Sequence, residues 1–106
     1  MRTQACQTVA IAASSSGNNE IVAAQTGKVI RVLGYVLSSS GTVNAKWRTA
    51  NTDKTGLIYM VANNQVQVAL PSQPDDFWFE TVAGEALNLN LSGAVAVGGH
   101  LSYIVY

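Results

Sequence analysis

Leu87-Asn88-Leu89-Asn90-Leu91 alternates apolar and polar residues along its whole length. A period of two sends successive side chains to opposite faces of a strand, so the leucines share one face and the asparagines the other. Val43-Asn44-Ala45-Lys46-Trp47-Arg48 repeats the pattern, and so does Gln65-Val66-Gln67-Val68. No window carries a helical stripe, and the glycine and β-branched content disfavours helix. Turn-forming clusters recur at short intervals: Ser14–Asn19, Ser38–Gly41, Asn51–Gly56, Asn63-Asn64, Pro71–Asp76, Val82–Glu85 and Ser92-Gly93. The segment with both prolines is expected to cross between sheets rather than continue a ladder. Between the breaks, strands are expected over 3–13, 20–25, 28–38, 42–50, 57–62, 65–70, 77–82, 86–91 and 95–105. Eight or nine short strands without helix point to an all-β, antiparallel β-sandwich or small barrel.

The composition supports a single folded domain over 1–106, with no linker and no internal repeat. The 106 residues suffice for one core, and 48% are hydrophobic, which favours collapse over disorder. Six cations balance six anions and form no stripe that would follow phosphates, so no nucleic-acid partner is expected. No apolar run approaches the ~20 residues of a membrane span, and no membrane partner is expected. Arg2 and the Val9–Ala13 run are too short and too interrupted for a signal peptide. The expectation is a cytoplasmic product without a leader. Only 11% of residues are charged, and Ser, Thr and Asn fill the shortfall.

Two segments depart from the one-sided pattern. In 28–37, Ile30, Val32, Gly34 and Val36 occupy one parity, while Val29, Arg31, Leu33, Tyr35 and Leu37 occupy the other. Near the other end, Val95, Val97, Leu101, Tyr103 and Val105 oppose His100, Ser102, Ile104 and Tyr106. An outer face bearing aromatic and aliphatic residues with one Arg has the composition of a subunit interface. Arg31, Leu33, Tyr35, His100, Ile104 and Tyr106 are therefore the candidate interface residues.

Residues for catalysis are sparse. His100 is the sole histidine and reads as a strand or interface residue rather than a base. Cys6 is the sole cysteine; it cannot form an intrachain disulfide, and only Arg2 lies near it in sequence. One His and one Cys fall short of a zinc set, and Asp75-Asp76 is too short for a calcium loop, so no metal or cofactor is expected. Glu80 and Glu85 have no fixed separation of the kind glycoside hydrolysis needs. Gly98-Gly99 has no phosphate-binding context. Trp47 shares its parity with Val43 and Ala45 and is assigned to the core. Trp78, opposite in parity to Phe77 and Phe79, is the better of the two for an exposed role, with a core or interface place ahead of it. With Asp75 and Asp76 it forms a candidate ligand or capsid contact.

Gly27–Ser38, Phe79-Glu80-Thr81, Gly84–Ser92 and Val97–Tyr103 together resemble small jelly-roll decoration or cement proteins of tailed bacteriophages. The resemblance spans roughly 19–106, and the Gly-Glu-Ala-Leu-Asn-Leu-Asn-Leu-Ser run is its most distinctive part. Pro74–Trp78 departs from the Pro-Gly-Trp-like turn expected there. Residues 1–18 lie outside it and are expected to be an added strand or an arm. The resemblance implies a jelly roll on the capsid surface of a virion, a trimer whose partner is the major capsid protein. The alternative, from a different class, is a carbohydrate- or receptor-binding module of a phage tail or fibre that uses Trp78.

Overall fold

The computed structural model describes residues 7–50, 52–63, 65–68 (as backbone) and 78–106. Ten strands follow one another with no helix among the described residues: β1 Gln7–Ala13, β2 Gly17–Val22, β3 Ile30–Ser39, β4 Val43–Thr49, β5 Thr52–Asp53, β6 Ile58–Met60, β7 Gln65–Val68, β8 Phe79–Glu80, β9 Leu87–Leu91 and β10 Val97–Val105. They form two five-stranded sheets. The first has the order β1-β10-β3-β7, with β8 also on β3; the second has β2-β9-β4-β5, with β6 also on β4. Every pairing is antiparallel.

The connectivity is that of a rolled ribbon. β5 and β6 are successive pieces along one edge of β4, and β7 and β8 are successive pieces along one edge of β3. Counted as one strand each, they leave eight strands. The first strand then pairs the last, the second the seventh, the third the sixth, and the fourth the fifth. Rolling that ribbon brings β10 beside β3 and β9 beside β4. This is a jelly-roll β-sandwich.

The core lies between the sheets. β4 and β9 alternate strictly, so Val43, Ala45, Trp47, Leu87, Leu89 and Leu91 are all buried. Ile11, Ala13, Val32, Leu37, Val97 and Leu101 meet them from the first sheet. Trp47 sits at the centre, with the Tyr35 ring 5.3 Å away in an edge contact and Phe79 at 6.3 Å. Residues 7–13, expected as an added strand or an arm, form β1, the edge strand of its sheet among the described residues, and Ile11 and Ala13 anchor it in the core.

β3 does not keep a single parity. Ser102 lies opposite Gly34 and Tyr103 opposite Val32, which leaves Leu33 as an extra, bulged residue. A bulge reverses the faces beyond it. Ile30 and Val32 point inward before it, and Tyr35 and Leu37 point inward after it. The expected outer row of Arg31, Leu33, Tyr35 and Leu37 is therefore not a row. The expected loop at 14–19 is also shorter, because β2 begins at Gly17 with φ of 89°. Asn19 closes this turn from within the strand, donating to the Ser15 carbonyl at 2.8 Å and the Leu89 carbonyl at 3.2 Å.

Candidate interaction surface

Three of the six proposed interface residues are withdrawn by burial. Tyr35 is 7% exposed and packs on Trp47; Leu33 and Ile104 are each 2% exposed. For Tyr35 the cause is the bulge, which turns it inward. Leu33 and Ile104 lie outside the central cluster, yet the single chain already shields them. None of the three offers surface to a second subunit. Burial pushes the Tyr35 hydroxyl above its ordinary pKa of 10.0, and the adjacent Trp47 indole N–H opposes that rise. That indole N–H is itself buried and reaches no acceptor in full hydrogen-bonding geometry.

Arg31 and Tyr106 remain on the surface, and Trp78 lies on the opposite side of β3 from Tyr106. The backbone fixes this arrangement. Tyr106 and Val29 exchange hydrogen bonds of 2.9 and 3.1 Å, which extends the β10–β3 ladder. On the other side of β3, the Trp78 N–H donates to Val32 O at 2.9 Å and the Thr81 N–H to Ile30 O at 3.0 Å. The Thr81 hydroxyl accepts from the Ile30 N–H at 2.9 Å. Phe79 turns inward against Trp47, so its neighbours Trp78 and Glu80 turn outward.

Arg31 ties the two sides together. Its Nε donates to Glu80 Oε2 at 2.8 Å, and its guanidinium lies 3.9 Å above the centre of the Tyr106 ring. The charge is thus paired with a carboxylate and spread over an aromatic face. Trp78 and Tyr106, on either side of this pair, are 55% and 48% exposed, and Val82, two residues beyond Glu80, is 44% exposed. The Val82 loop is held from the second sheet: its N–H donates to the Thr49 hydroxyl, which donates to Glu85 Oε1 at 2.8 Å. Glu85 is a structural tie that reading the sequence as a simple turn does not reveal.

His100 is exposed on β10 opposite Val36 and Ala10, four residues from Ile104. At ~3.3 Å per residue, the strand carries it well away from the Arg31 cluster. Asp75, Asp76 and Cys6 lie outside the described residues.

The second sheet presents a different face. Asn90 donates to Asn18 at 2.8 Å, and Lys46 and Arg48 both bind Asp53, at 3.1 and 2.8 Å. The hydrogen bond from Lys46, with the two positive charges, lowers the Asp53 pKa from its ordinary 3.8. Along the edge of this sheet, Leu57, Tyr59 and Val61 are exposed around β6, with Tyr59 at 72%. They belong to a run, 55–74, that contains no charged residue. In the sequence 57–61 is an unbroken apolar run, so which of its residues are exposed follows from the pairing of β6 with β4.

An open groove of about 620 Å³ crosses the far end of the first sheet, lined by Ala12, Ser14, Ser38, Ser40, Asn63 and Gly98 among others. Among the described residues its lining offers hydroxyls, the Asn63 amide and backbone, with no titratable side chain. Among the described residues, no group of three His, Cys, Asp or Glu side chains is placed to hold a metal ion.

No family model, no curated protein and no solved structure matches the chain.

Proposed function

We propose that this jelly roll is a non-enzymatic structural protein of a phage virion, a trimer that decorates and cements the capsid through contacts with the major capsid protein. The observation that carries the reading is the pairing of Trp78 and Tyr106 on either side of the Arg31–Glu80 ion pair. Aromatic residues and Arg are the types enriched where protein surfaces meet. The contact between copies is assigned to Trp78, Val82 and Tyr106 rather than to Leu33, Tyr35 and Ile104. A protein that binds the closed shell but not the opened one stabilises the closed shell by mass action. Particles lacking the protein are therefore expected to assemble but to release their genome at lower temperature than complete particles. Depleted particles as heat-resistant as complete ones would overturn the reading.

The exposure of Trp78 and Tyr106 also favours one alternative, a glycan- or receptor-binding module of a tail or fibre. Finding the protein only at the tail tip would select that alternative.

A further inference from the structure

We draw no further inference here: the strongest candidate, the exposed Leu57, Tyr59 and Val61 along the β6 edge of the second sheet, is an apolar stripe that nothing in the structure shows to be covered.

Discussion

Gly99 is the residue whose identity the backbone constrains most. It sits mid-strand with φ of 139°, and a Cβ there would lie 1.8 Å from the Val36 carbonyl oxygen. The neighbouring Gly98 is different: its nearest contact would be an ordinary 3.6 Å to the Ile11 oxygen. Gly99→Ala is expected to cost about 3 kcal/mol or more, since the backbone strain and the collision add. Gly98→Ala is expected to stay within about 0.5 kcal/mol of wild type. Urea unfolding of the two variants checks the contrast, and equal losses would contradict the β10 geometry. The sequence shows the Gly98-Gly99 dipeptide but not which glycine is required, because that depends on how closely β10 passes β3. Tyr35 supplies a pH test. Its folded pKa is raised above the unfolded value of 10.0, so its contribution is complete below about pH 10 and is lost as pH rises through the folded pKa. Tyr35→Phe should therefore lose less stability between pH 9 and pH 11 than wild type, as measured by urea unfolding at both values. An unchanged or steeper alkaline loss would remove Tyr35 as its source.

Clean alternation fixes which face of a strand is buried, and an irregularity breaks that rule where it occurs. β4 and β9 obey a period of two from end to end, so Trp47 and all three leucines of β9 fall inside as their parity requires. Leu89, fully buried opposite Trp47, is expected to cost ~2–5 kcal/mol when truncated to Ala. A loss under about 0.5 kcal/mol would mean that β9 faces the other way. In β3 the bulge at Leu33 puts apolar residues on both parities, and a parity rule reads this as two apolar faces. Gly34, directly after Leu33, is a local mark of a strand irregularity, but it does not fix which residue is extra or which faces reverse. The Arg31–Glu80 pair is a different kind of element-scale tie, joining β3 to β8 while partly exposed. Solvent screening limits such a pair, so Glu80→Gln is expected to cost less than about 1 kcal/mol in thermal or urea unfolding. A loss above about 3 kcal/mol would contradict a solvent-screened pair.

At the scale of the whole molecule, the all-β sandwich follows from periodicity and turn spacing, because both are local properties of the chain. The candidate surface was legible only in part. Arg31 and Tyr106 carry the residue types of an interface, and Trp78 stands out by its parity, but their placement around one ion pair depends on the pairing of β8 and β10 with opposite edges of β3. Those pairings join segments about 50 to 75 residues apart, and the alternation within each segment does not encode its neighbour. The same limit hid the apolar edge at Leu57, Tyr59 and Val61, whose exposure depends on β6 having no further strand beyond it among the described residues. Under the proposed function, copies of this chain meet through Trp78, Val82 and Tyr106. Light scattering at micromolar concentration tests this most directly, on wild type and on a Trp78→Lys/Tyr106→Lys variant whose fold is checked by circular dichroism. Wild type is expected as a species about three times 11.2 kDa, and the variant as a folded monomer. A monomeric wild type, or a variant that remains fully trimeric, would contradict it.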